Sequence, residues 1–143
     1  MQAIAQTTHV HPASVSSRAY RAGWIISGIL ILFLVFDAVI KLFPLDVVTE
    51  TMATLGWPTN DAMARTLGVL TLVCTVLYAI PRTSVLGAIL LTGYLGGAIA
   101  THLRIGNPML THTLFGIYLG VMAWGGLFLR DARLRALIPL RAG

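Results

Sequence analysis

Charge is scarce in this sequence. Only 10% of its 143 residues are Asp, Glu, Lys or Arg, whereas a soluble domain carries about 25%. So few charges cannot cover a water-facing surface, and a lipid-facing exterior is the simpler expectation. Acids are scarcer than bases: five Asp and Glu against ten Lys and Arg leave a net charge of +5. The bases sit at the ends of apolar runs and in the tails rather than on one face. That placement orients a bilayer protein, so nucleic acid is not an expected partner. Cysteine is nearly absent. Cys74 stands alone, which rules out an intramolecular disulfide and any CxxC pair, and so any thiol relay within the chain. His9 and His11 have no further ligands near them, so no metal site is expected.

What is present is hydrophobic, with 57% apolar residues and a mean hydropathy of +0.83. Residues 1–17 are the polar exception and read as a disordered tail. No charged segment directly precedes a short apolar core and no small-residue cleavage site follows it, so a cleaved signal peptide is not expected. Four apolar runs follow, at about Ala22–Phe43, Ala62–Ile80, Val85–Ile105 and Met109–Leu129. The first, at about 1.5 Å per residue, reaches roughly 33 Å and can cross the hydrocarbon. The expected fold is an all-α integral membrane four-helix bundle over residues 18–129, followed by a basic tail over 130–143.

Breakers and caps divide the runs. Ser16 or Ser17 can cap the first and Pro44 stops it. Between the first two runs, Val48, Met52 and Leu55 share one helical face while Asp46, Glu50 and Thr51 lie elsewhere. This predicts a short amphipathic cap at the membrane surface, ended by Gly56 and anchored by Trp57. Thr59, Asn60 and Asp61 supply N-caps for the next span. Gly106, Asn107 and Pro108 turn the chain into the fourth run, with Asn107 as cap and Pro108 at the first helical position. Gly93 with Gly97, Gly96 with Ala100 and Gly116 with Gly120 have the spacing of small pairs that bring helices together in lipid.

Four spans put both termini on one side. Arg18, Arg21, Arg82, Arg130, Arg133, Arg135 and Arg141 fall on that side, and Lys41, Arg65 and Arg104 on the other. Seven against three predicts cytoplasmic termini.

Stacking the spans in this order places ionisable groups from all four at one depth in the outer leaflet. Asp37 and Lys41 share a face near the end of the first span. Arg65 lies one turn into the second. Thr101, His102 and Arg104 end the third, and His112 begins the fourth. Tyr94 lies about two turns from Thr101 on the same face. Ionisable groups inside spans mark function more often than not. Two blander accounts compete with a site. Arg65 and Arg104 can snorkel to headgroups, and Asp37 with Lys41 can be a structural ion pair. His102 and His112 are better suited to proton relay or to hydrogen-bonding a carbonyl. Ten residues and a tight turn leave their rings side by side rather than across a porphyrin, which disfavours haem.

The run TGYLGGAIATHLRIGNP, the preceding Arg65-Thr-Leu-Gly68, Pro81 and the closing WGGLFLRDARLRALIP resemble the DoxX-like family of small four-span bacterial membrane proteins. The likeness runs from about Tyr20 to Pro139. Family members resemble a small subunit of an archaeal thiosulfate:quinone oxidoreductase, and related proteins are linked to membrane redox and oxidative-stress complexes. Two departures stand out: Asn107 stands where members often carry an acid, and Thr113-Leu114-Phe115 follows His112 where members commonly have a proline that would kink the fourth helix.

The resemblance implies an inner-membrane, quinone-linked accessory subunit working with a partner subunit or as a homo-oligomer. In that role Asp37, His102 and His112 would do the proton and carbonyl chemistry. Lys41, Arg65, Tyr94, Thr101 and Arg104 would line the cofactor pocket, with Arg104 stabilising a reduced anion. The competing expectations are a non-catalytic scaffold or lipid-binding protein and a small-solute or proton carrier. The carrier has few polar residues to continue its path: Ser27, Thr71, Cys74, Thr75 and Thr92.

Overall fold

The computed structural model of the protein describes residues 15–43 and 45–137. Residues 1–14 of the expected disordered tail and 138–143 of the basic tail lie outside these; Ser16 and Ser17, expected in that tail, instead cap and begin the first helix. Six α-helices follow in order: α1 Ser17–Leu42, α2 Asp46–Thr54, α3 Asp61–Ala79, α4 Ser84–Arg104, α5 Phe115–Arg130 and α6 Ala132–Leu137. A single π-helical turn, Met109–Thr113, leads into α5. Among the described residues, four segments are long and apolar enough to span a membrane: α1, α3, α4 and Met109–Arg130. The expected membrane bundle with a short helix between its first two spans is therefore the observed architecture.

Local chemistry sets the ends. Ser16 accepts a hydrogen bond from the Ala19 amide at 3.3 Å, so α1 starts about a turn before the apolar run. Asn60 caps α3 by accepting from the Met63 amide at 2.8 Å. Gly56, at φ 72°, closes α2 in the left-handed region that glycine tolerates best. Asn107 departs from expectation. The residue before Met109 is Pro108, and no side chain caps this helix end. Asn107 instead spends its amide on His102. The Pro108 carbonyl accepts from both the His112 and Thr113 amides, at 3.2 and 3.4 Å, and the chain enters the fourth span through the π turn rather than a regular α turn.

α1 packs against α3 and α5, and α4 packs against the same two, so α1 and α4 occupy diagonal corners. Leu30, Leu34, Tyr78, Leu91, Leu119 and Leu127 fill the buried core between them. Tyr78 is completely buried. Its hydroxyl donates to the Ala123 carbonyl at 2.9 Å and meets the Ser27 hydroxyl at 3.0 Å. A buried phenol needs such partners because lipid and core offer none. Outside, the bundle is greasy: Leu32, Phe36 and Val121 are 77%, 64% and 66% exposed. That surface suits lipid and would be costly in water.

The small pairs read from the sequence do not all act as packing pairs. Gly116 does, because a Cβ there would meet Ile99 at 2.8 Å and the Leu95 carbonyl at 3.2 Å. At Gly93, Gly96, Gly97 and Gly120 a Cβ would meet nothing within 4 Å. Close approaches also fall at glycines outside the three pairs. Gly87 lies directly against the Tyr78 backbone, and Gly68 against the Ala38 carbonyl and the Lys41 Cβ, each at 3.0 Å. These contacts bind α3 to α4 and α1 to α3.

Candidate functional site

The connections alternate between the two ends of the bundle. The α1–α3 and α4–α5 connections share one end with α2, termed here the cap end; both described termini lie at the other. α2 lies over the cap end, with Val48 and Met52 buried beneath it against Ala64 of α3. Arg104, from the end of α4, donates to the Leu55 carbonyl at 2.6 Å. That carbonyl lies at the C-terminal end of α2, where helix carbonyls lack internal partners and a cation is favoured. The cap is thus fastened at one end by apolar burial and at the other by a guanidinium.

Beneath the cap is a cavity of about 530 Å³, within the range of pockets that hold small organic ligands. Its walls are chiefly apolar, with Ile40, Val48, Met52, Trp57, Leu67 and Leu70 among them. Asp37, Lys41, Tyr94, Thr101 and His102 supply its polar part. Lys41 forms an ion pair with Asp37 one turn earlier on α1. Its ammonium also reaches the Tyr94 hydroxyl on α4 at 3.4 Å. The two charged side chains are only 20% and 26% exposed, so each depends on the other for solvation.

A smaller cavity of about 170 Å³ lies on the other side of the same residues. Asp37, Lys41, Tyr94, Ala98 and His102 line both spaces and form the partition between them. His112 lines only the smaller one. The His102 and His112 rings lie 5.8 Å apart and tilted by 56°, side by side as the tight turn requires. Asn107 donates through Nδ2 to His102 Nδ1 at 2.7 Å, which leaves the ring proton on Nε2. His112 Nδ1 shares a hydrogen bond with the Thr111 hydroxyl at 2.8 Å.

Two of the expected site residues are elsewhere. Arg65 is exposed and faces Asp61 one turn earlier, at 3.5 Å. Arg104 is committed to the cap. Neither lines either of these two cavities; sequence fixes depth in the bundle more closely than direction around a helix. Conversely, the sequence reading missed Asn107 as a partner of His102, along with the glycine wall formed by Gly93 and Gly97. The chain spacing between Asn107 and His102, five residues across a turn, was the available signal.

Among the described residues, no group of three or more His, Cys, Asp or Glu side chains is placed to hold a metal. What the arrangement provides is a set of hydrogen-bonding groups lining a largely apolar space: a carboxylate, an ammonium, a phenol and an imidazole. Lys41 and the Tyr94 hydroxyl can donate to a ligand oxygen, and Asp37 can accept a proton.

The fold is that of a four-span membrane protein with an apolar-walled cavity beneath its short helix. The chain belongs to the DoxX-like family, whose sequence model matches residues 25–126. No curated protein and no solved structure matches it.

Proposed function

We propose that the larger cavity holds a quinone headgroup and that the protein is an accessory subunit of a membrane redox complex. One observation carries the reading: Asp37, Lys41, Tyr94 and His102 together line an apolar-walled cavity of about 530 Å³ within a membrane bundle, the first three joined by hydrogen bonds. A quinone is apolar over its tail and ring faces and polar only at two carbonyl oxygens. It needs hydrogen-bond donors at a ring edge and a group that takes and returns protons. Lys41 and Tyr94 serve as donors to one oxygen. His102 has its ring proton on Nε2 and supplies a further donor. Asp37 exchanges the proton. Lys41 fills the cationic role that Arg104 was expected to take, stabilising charge that develops on the reduced ring. With a single cysteine in the chain, no intramolecular dithiol supplies electrons, so in this reading a partner subunit or a bound cofactor does.

In this reading the end that carries the termini faces the cytoplasm of a bacterial inner membrane. Arg18, Arg21, Arg82, Arg130, Arg133 and Arg135 lie at that end, against Lys41, Arg65 and Arg104 at the other. Protein purified in native lipid is expected to carry co-extracted quinone. After lipid exchange it is expected to bind an added short-tailed quinone saturably, and Lys41→Met is expected to weaken binding by about tenfold, the equivalent of one charged hydrogen bond. Absence of saturable binding by the wild type would overturn the reading.

A further inference from the structure

A Cβ built on Gly93 or Gly97 of α4 would meet no atom of a neighbouring element within 4 Å, and both residues line the larger cavity. Glycine weakens a helix relative to alanine. At Gly87, Gly68 and Gly116 the missing side chain admits a neighbouring helix. At Gly93 and Gly97 the space is left to the cavity. The two lie one turn apart, about 6 Å along the helix axis, so together they expose a bare strip of backbone on the scale of one six-membered ring. Tyr94 follows Gly93 directly, and its hydroxyl is within 3.4 Å of Lys41 Nζ, so donors stand beside this strip. Leu67 and Leu70 of α3 add apolar wall. Leu70 is 47% exposed, and Gly93 and Gly97 are exposed as well. On these two helices the wall therefore reaches the lipid-facing surface of the bundle.

We infer that Gly93 and Gly97 form a platform for a planar ring, which enters sideways from the bilayer between α3 and α4. The ring lies flat on the α4 backbone with a carbonyl edge toward Tyr94 and Lys41. This inference rests on the quinone reading above and adds what selects the ligand: flatness, enforced by two absent side chains. A puckered ring with the same oxygens and tail cannot make the same face contact.

The test uses full-length protein in phosphatidylcholine nanodiscs. A short-tailed para-benzoquinone is titrated in, and quenching of Trp57, which lines the same cavity, reports binding. A Trp57→Phe control isolates that signal. Gly97→Leu is expected to weaken binding by at least about tenfold. Gly97→Ala, the smaller change, is expected to weaken it less. Gly96→Leu, adjacent in the chain but outside the cavity lining, is expected to leave binding unchanged. The corresponding cyclohexanedione, added in competition, is expected to displace the bound quinone and restore Trp57 emission only at concentrations at least about tenfold above those at which the quinone itself binds. Because no atom lies within 4 Å of a Cβ at position 97, these variants are expected to retain wild-type helix content by circular dichroism.

If the wild type binds the quinone but Gly97→Leu binds it equally, or if both rings bind alike, the platform is refuted and the quinone site survives. If Gly96→Leu is as damaging as Gly97→Leu and the oligomeric state changes, this face of α4 is a helix interface instead, and the platform is refuted. If the wild type binds neither ring, the quinone reading itself falls, and the platform with it.

Discussion

Separating Lys41 from Asp37 is the most direct test of how the polar cluster is held. Two unit charges about 4 Å apart attract by about 4 kcal/mol at an effective dielectric constant of about 20. Breaking a buried pair by removing one partner costs about 3–5 kcal/mol, because the other charge is stranded. Here the side chains keep 20% and 26% of their exposure, so some screening survives, and about 2 kcal/mol is the expected loss for a single replacement. The two replacements are not equivalent. Asp37→Asn leaves Lys41 with the Tyr94 hydroxyl at 3.4 Å. Lys41→Met leaves Asp37 with none of the side-chain partners it has among the described residues. Lys41→Met is therefore the more damaging, and Asp37→Asn combined with Lys41→Met costs less than the two single losses added. A coupling of about 1–2 kcal/mol is expected from residues in direct contact. Reversible unfolding in mixed micelles, followed by circular dichroism, measures all four corners of the cycle. Additivity within about 0.3 kcal/mol would mean that the charges are solvated independently and that no shared cluster exists.

Two further perturbations test the frame around the cluster. Gly87→Ala drives a methyl into the Tyr78 backbone, so α3 and α4 must separate. A loss of about 3 kcal/mol is expected in the same unfolding assay, while Gly96→Ala, with open space around its Cβ, is expected to be neutral or slightly stabilising. Arg104→Ala removes the donor to the Leu55 carbonyl. A charged hydrogen bond on an exposed side chain is expected to contribute about 1 kcal/mol, so amide exchange across α2 should accelerate by about fivefold with α3 unchanged; equal exchange in both proteins would show that Val48 and Met52 alone hold the cap.

The sequence makes the number of spans, their order and the short capping helix legible, because each depends on composition and local chemistry. Lipid demands long apolar helices, and breakers such as Gly56 and Gly106 mark the ends. The π turn at Met109–Thr113 was less accessible. It follows from Pro108, whose carbonyl serves two amides, and from Asn107 reaching back to His102 instead of capping forward. Both choices depend on where α4 ends in space. The glycine pairs show a similar limit. Their spacing puts them on one helical face, but only the fold decides whether that face meets a helix, as at Gly116, or a cavity, as at Gly93 and Gly97.

Depth and direction account for the rest of the site. Arg65, Arg104 and Lys41 all lie near the cap end, yet only Lys41 lines the cavity. The difference is rotation of each helix about its axis. On α1 that rotation is constrained at Gly68, where the Ala38 carbonyl and the Lys41 Cβ press within 3.0 Å of where a side chain would stand. This contact holds α1 close against α3 and leaves the Lys41 ammonium free to reach inward to Tyr94 on α4. Arg65 lies on α3 with no comparable constraint, and its long chain finds water or headgroups and Asp61. A larger residue at position 68 would therefore displace α1 and withdraw Lys41 from Tyr94, even though residue 68 itself touches no ligand. The chemistry of the cluster is carried by its charged residues, but its geometry depends on a glycine that lies outside the cavity.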